Sequence, residues 1–198
     1  MEISAQLVKE LRDKTNAGMM DCKKALTESG GDIEKAIDYL RKAGIAKAEK
    51  KISSRTAAEG VIASYIHPGS KLGVLCEINC ETDFVAKNDV FKEFVKDITL
   101  QIAASNPLCI SREDVPKEVV EKEKEVFRAQ IKNKPDQVIE KIVEGKLGKY
   151  YSEICLMEQP FVKDADNTIE EYLKLKIAEL GEKISIRRFS RFSVGEDI

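Results

Sequence analysis

Residues 72–80 read Leu-Gly-Val-Leu-Cys-Glu-Ile-Asn-Cys. Leu72, Val74, Cys76, Ile78 and Cys80 alternate onto one face, while Gly73, Glu77 and Asn79 lie opposite, so the spacing predicts a half-buried strand. Shortly afterwards the apolar period changes. Phe91, Phe94, Val95, Ile98 and Ile102 recur at helical spacing, with Asn88 available as a cap and Asn106-Pro107 as a stop. The junction between the two periods is Glu81-Thr82-Asp83-Phe84-Val85-Ala86-Lys87. The junction joins an alternating strand to an amphipathic helix. Turns favour small polar residues, so an aromatic beside an acid at this point is either buried or offered to a partner.

The remaining chain fits around that junction. Residues 1–44 read as three short helices, with Ser4, Asp21 and Asp32 as candidate caps. Their apolar faces are Leu7, Val8 and Leu11; Cys22, Ala25 and Leu26; and Ile33, Ala36, Ile37 and Leu40, with Gly44 as the final stop. Residues 45–58 are rich in Lys, Ala and Ser and read as a solvated, partly helical linker. Residues 59–198 form the core domain: a strand at 61–66, a turn at His67-Pro68-Gly69-Ser70, the strand at 72–80, and helices after it. A charged helical segment near 112–144 is interrupted at Pro135, and its apolar positions (Val119, Val126, Ile131, Val138, Ile142) are sparse. A further helix carries Leu147, Tyr150, Tyr151, Ile154 and Cys155. Another is capped near Asn167-Thr168 and stopped by Gly181. Residues 183–194 read as the last strand, with a slip in alternation at Arg187-Arg188 of the kind a bulge produces. The fold class is therefore α+β: an N-terminal three-helix bundle followed by a three-stranded antiparallel sheet with packed helices.

Composition narrows the function. The chain has 198 residues and a net charge of −2, which gives no global attraction to nucleic acid or anionic membrane. No apolar run reaches the ~20 residues needed to span a bilayer. The start, Met1-Glu2-Ile3-Ser4, lacks the pattern of a signal peptide, so a cytoplasmic location is expected. Five cysteines, an odd number, read as reduced thiols. Cys76 and Cys80 on one strand stand ~13 Å apart, too far to share a zinc ion or a disulfide. With one histidine, His67, in a hairpin turn, neither a metal site nor a general base is expected. No phosphate-cradling glycine loop is present, and no nucleophile has an evident base. The expectation is a protein without catalytic residues, metal or cofactor.

Three features remain as candidate contact sites. The strand Ile186-Arg187-Arg188-Phe189-Ser190-Arg191-Phe192 interleaves basic and aromatic residues, as an RNA-binding sheet can. The competing reading turns the aromatics to the core and the arginines to solvent. Met19 and Met20, in a turn between helices, are either a plug for the bundle or an adaptable docking patch. Phe84 either completes the core, as most aromatics do, or is a wedge mounted between strand and helix, with Asp83 able to perturb a metal-and-phosphate site.

At these residues the chain resembles the bacterial elongation factor Ts family. The likeness runs through Leu11-Arg12, Thr15 to Leu26, Gly31 to Ala36, Ala57 to Gly60, Asn79 to Asn88 and Glu158-Gln159-Pro160-Phe161. It covers roughly 1–105 and 150–198, and is poor over 106–149. Asn16 stands where the family usually has glycine, a change a left-handed turn tolerates. The resemblance implies a ubiquitin-associated-like bundle and a guanine nucleotide exchange factor for elongation factor Tu. It further implies that Thr82, Asp83, Phe84 and Val85 reach toward the partner's magnesium site, and that Arg12, Met19 and Met20 dock on it. Longer members carry a second core half. A chain this short is expected to form a homodimer, with Leu72 and Gly73 of one protomer contacting Tu alongside Phe84 of the other. Neither direct nucleic-acid binding nor membrane association is expected.

Overall fold

The computed structural model describes residues 3–15, 17–131 and 134–196. Three helices open the chain: α1 (Ala5–Thr15), α2 (Met19–Glu28) and α3 (Ile33–Ser54). Val8, Leu11, Cys22, Ala25, Leu26 and Ala36 make their common core, and Leu7, Ile33, Ile37 and Leu40 pack against it. Those are the faces that 3.6-residue periodicity selects. Asp32 caps α3 by accepting from Lys35 N at 3.1 Å. Asp21, expected as a cap, lies inside the first turn of α2, whose N-cap is Gly18. Its carboxylate instead accepts from Lys47 at 2.9 Å. Asn16, read above as tolerating a left-handed turn, falls outside the described residues.

α3 does not stop at Gly44. It continues to Ser54, so most of the expected linker is helix. Gly44 has a packing role: a Cβ built on it would lie 3.1 Å from the Cβ of Ala178 in α8 (Ile169–Leu180). The glycine permits close approach of two helices and accepts the propensity cost of its mid-helix place. Ala48, one turn further on, is fully buried.

The other elements are β1 (Glu59–Ile66), β2 (Leu72–Cys80), α4 (Asp83–Lys87), α5 (Asp89–Ser105), α6 (Lys117–Gln130), α7 (Asp136–Ile154), β3 (Pro160–Phe161), β4 (Asp164–Thr168) and β5 (Ser185–Ser193). A three-stranded antiparallel sheet has the order β1-β2-β5, and a small antiparallel pair, β3-β4, was not expected from the sequence. Residues 147–155, expected as a separate helix, are the end of α7 and its cap.

Contacts gather the chain into two units. The first comprises Met1–Gly60, Asn79–Lys92 and Leu173–Ser185; the second comprises Val61–Ile78, Glu93–Tyr172 and Ile186–Ile198. In the second unit, Val74, Cys76 and Ile78 are buried along one face of β2, and Phe94, Val95, Ile98 and Ile102 along one face of α5. Burial pushes the Cys76 thiol up to about 12, as an inert core cysteine requires. The buried polar side chains Asp97 and Gln101 of α5 are matched there. Asp97 accepts from Lys163 at 2.5 Å and from the Tyr172 hydroxyl at 2.8 Å. Gln101 donates to Gln159 Oε1 at 3.2 Å and accepts from Val162 N at 2.9 Å. Phe161 stacks on Tyr172 with ring centres 4.4 Å apart. The Glu158-Gln159-Pro160-Phe161 motif is thus an internal fastening, completed by the Arg112–Glu158 ion pair.

Because the α3–α8 approach is limited by Gly44, Gly44→Val is expected to over-pack it and cost about 1–3 kcal/mol, read as a lowered denaturation midpoint.

Candidate functional site

Within the first unit, β2 ends at Cys80, and the next residues are held from several sides. The Glu81 carboxylate accepts from the Lys183 backbone N at 2.5 Å and from Arg55 Nη1 at 3.2 Å. The backbone N–H of Lys183, ahead of the Arg55 guanidinium, holds this carboxyl below its ordinary value. Thr82 is gripped twice by Glu182. Its N–H donates to one carboxylate oxygen at 3.0 Å and its hydroxyl to the other at 2.7 Å. The Cys80 thiol donates to the Thr82 carbonyl at 3.2 Å.

The loop that supplies these anchors is itself fixed. Gly181 (φ +77°) ends α8 in a left-handed conformation. Its carbonyl accepts from Lys51 Nζ at 2.7 Å. Burial, and then the neighbouring Arg55 charge, lower the Lys51 pKa. Lys183 Nζ donates to the carbonyls of Ile52 (2.6 Å) and Arg55 (2.8 Å), placing a cation at the C-terminal end of α3.

Thr82 then caps α4, its hydroxyl accepting from Val85 N at 3.4 Å. In α4, Val85 turns inward with 9% of its surface accessible, whereas Phe84 is 81% exposed. Asp83 accepts from Lys87 at 2.7 Å one turn on. That hydrogen bond, with the lysine charge, keeps the Asp83 carboxyl below its ordinary value. The pair is on the surface, so it orients the acid at little energetic commitment. The reading of Phe84 as a core residue is therefore overturned. The inward place at this junction is filled by Val85, and Phe84 is presented to solvent on a short braced helix.

The other candidate residues divide between the units. Arg12 is exposed on α1, and Met19 and Met20, at 60% and 75% exposure, occupy the first turn of α2 rather than a plug position. All three belong to the unit that holds Phe84. Leu72 and Gly73 belong to the second unit, where they line a groove of about 450 Å3 with Ile66, Leu75, Phe192 and Val194. Phe192 is 73% exposed, so the expectation that β5 turns its aromatics to the core fails at this position. Arg187 and Arg188 are both exposed in succession, as the expected slip in alternation requires. Arg188 donates to Glu77 at 2.6 Å, and Arg191 pairs with Glu196.

Sequence reasoning missed Glu81, Glu182, Lys183, Lys51 and Arg55 as supports of the site. Glu81 and Lys183 carried one available signal: charged residues flush against the end of a strand. The pairing of Glu81 with Lys183 spans about a hundred positions in the chain, beyond any local pattern. Among the described residues no group of three or more His, Cys, Asp and Glu side chains is arranged to hold a metal ion.

The fold and site together define an α+β protein that carries a helical bundle and presents an exposed aromatic between two anchored elements. Comparison with known proteins gives this class its family. A family model described as Elongation factor TS matches residues 1–196. Elongation factor Ts of Geotalea uraniireducens is 58% identical over 200 aligned residues, covering 100% of this chain and 92% of the relative. That of Thermodesulfovibrio yellowstonii is 60% identical over 197, covering 99% and 98%. That of Acetivibrio thermocellus is 60% identical over 198, covering 99% and 92%. The chain belongs to the elongation factor Ts family.

Two outcomes follow from the site geometry. Phe84→Ala is expected to leave unfolding free energy within about 0.5 kcal/mol of wild type, because an exposed ring contributes little to the core. Glu81→Gln is expected to destabilise at neutral pH by about 1 kcal/mol. The folded carboxyl titrates below its ordinary 4.5, so its contribution is full above that value and is lost as pH falls through the lower folded value. Denaturation midpoints of the two proteins should converge in acid.

Proposed function

We propose that this protein is the guanine nucleotide exchange factor for elongation factor Tu in translation elongation, acting in the cytoplasm. Membership of the elongation factor Ts family supports the partner and the activity. The observation that carries the mechanism is Phe84: a large apolar side chain 81% exposed, on a helix whose N-cap is fastened by two hydrogen bonds to Glu182. Solvent-exposed aromatics on rigid mounts are what a partner pocket recognises.

In this reading Thr82 to Val85 enter the partner near its bound magnesium. Phe84 wedges between partner elements. Asp83, released from its exposed pairing with Lys87, perturbs the ion that bridges phosphate to protein. Arg12, Met19 and Met20 dock on the nucleotide-binding domain, and adaptable methionines suit a surface that changes during exchange. The protein binds GDP-bound Tu, displaces magnesium and holds nucleotide-free Tu until GTP enters. No covalent chemistry is needed. The factor binds nucleotide-free Tu more tightly than GDP-bound Tu, and linkage weakens GDP binding by the same ratio. Each tenfold requires about 1.4 kcal/mol of differential binding.

We further propose that the protein acts as a homodimer. Ile62, Ile66, Leu75, Phe192 and Val194 are large apolar residues exposed on the sheet and its flank, an area better suited to a second copy than to water. In this reading Leu72 and Gly73 of one protomer contact Tu alongside Phe84 of the other, and their position in an apolar groove supports a contact role. The RNA-binding alternative has less support, because Arg188 and Arg191 are engaged with Glu77 and Glu196.

Stopped-flow release of a fluorescent GDP from Tu tests the reading. Wild type should accelerate release, and Phe84→Ala should lose most of that acceleration while melting as wild type does. No acceleration by wild type would remove the exchange function. Equal acceleration by both would remove the wedge. Gel filtration at micromolar concentration should give about twice the 22.2 kDa chain mass; a monomer would refute the dimer.

A further inference from the structure

We propose that Glu182, in the loop between α8 and β5, is a positioning residue of the exchange site, setting the direction in which Phe84 is presented. The proposal rests on the exchange reading above. α4 has five residues, far fewer than a helix needs to persist alone. Its orientation therefore comes from its anchors. Val85 supplies one by burial, and Thr82 supplies the other. The Thr82 side chain has a single hydroxyl proton and donates it to Glu182 Oε1 at 2.7 Å. That donation fixes the hydroxyl so that a lone pair meets Val85 N at 3.4 Å, which is the cap of α4. The second carboxylate oxygen takes the Thr82 backbone N–H at 3.0 Å, fixing the backbone at the same residue. One carboxylate thus determines both the rotamer and the main-chain placement of the residue that starts the helix bearing Phe84.

Neighbouring contacts cannot replace it. Glu81 is committed to Lys183 N and Arg55, and the Cys80 thiol holds only the Thr82 carbonyl. The hydrogen bonds of Glu182 at this junction go to Thr82, the first residue of the motif. Its effect on exchange must pass through Thr82 and α4.

The test is a cycle of Glu182→Ala and Phe84→Ala in the full chain, read by saturating GDP release from Tu and by amide hydrogen exchange. Glu182→Ala is expected to slow release about tenfold, because a misplaced wedge loses transition-state contacts. Glu182→Gln, whose amide can accept from the Thr82 N–H and donate to its hydroxyl, should restore release to within about threefold of wild type. In the Phe84→Ala background, Glu182→Ala should change release less than about twofold. The Val85 and Ala86 amides should exchange faster in Glu182→Ala, while Ile98 and Ile102 in α5 stay protected. Wild-type release by Glu182→Ala, or an equal slowing in both backgrounds, would overturn the proposal. If wild type itself does not accelerate release, the exchange reading fails separately. Unchanged Val85 and Ala86 exchange would then overturn the positioning role, and faster exchange would sustain it.

Discussion

The presentation of Phe84 depends on carboxylate anchors at two consecutive residues. Glu81 is bound at the Lys183 backbone and Arg55, and Thr82 is bound at Glu182. A buried aromatic is held by its own packing. An exposed one gains no such support and must be held through the backbone that carries it. Here the support is polar and partly exposed, so each contact adds little to overall stability while it fixes direction. Several contacts converge on consecutive residues, and the same loop is fixed to the end of α3 through Lys51 and Lys183. That convergence keeps a five-residue helix in one orientation.

The same unit contains the N-terminal bundle. Because α3 runs unbroken from Ile33 to Ser54, the helix that packs against α2 also ends at the carbonyls, of Ile52 and the C-cap residue Arg55, that Lys183 binds. The two sets of proposed docking residues are thus carried on one compact unit with helix α3 in common. For an exchange factor this is economical physics. Ordering the contacts before binding lowers the entropic cost of association, leaving more of the interaction free energy for distinguishing nucleotide-free from GDP-bound partner.

Much of the fold was legible because periodicity reports burial. The alternation Leu72–Cys80 and the helical faces of the bundle and α5 match the buried residues. The slip at Arg187-Arg188 was also legible, as was the stop at Gly181. Gly44 was misread because a glycine suited to ending a helix also suits a close crossing, and only the position of Ala178 distinguishes them. The β3-β4 pair was missed because strands as short as Pro160–Phe161 carry no period. At the site, the position of Phe84 was legible, but residue physics alone leaned to burial; the family resemblance pointed outward. The pairings made by Glu182 and Lys183 were not legible, since they span about a hundred residues and composition and spacing do not encode them.

In the proposed mechanism Phe84 enters elongation factor Tu during exchange. The most direct measurement incorporates p-benzoylphenylalanine at position 84 and maps photo-crosslinks to Tu. A crosslink beside the nucleotide and magnesium site is expected, formed with nucleotide-free Tu and suppressed by excess GDP with magnesium. Efficient exchange without a crosslink at position 84, or a crosslink remote from that site, would contradict it.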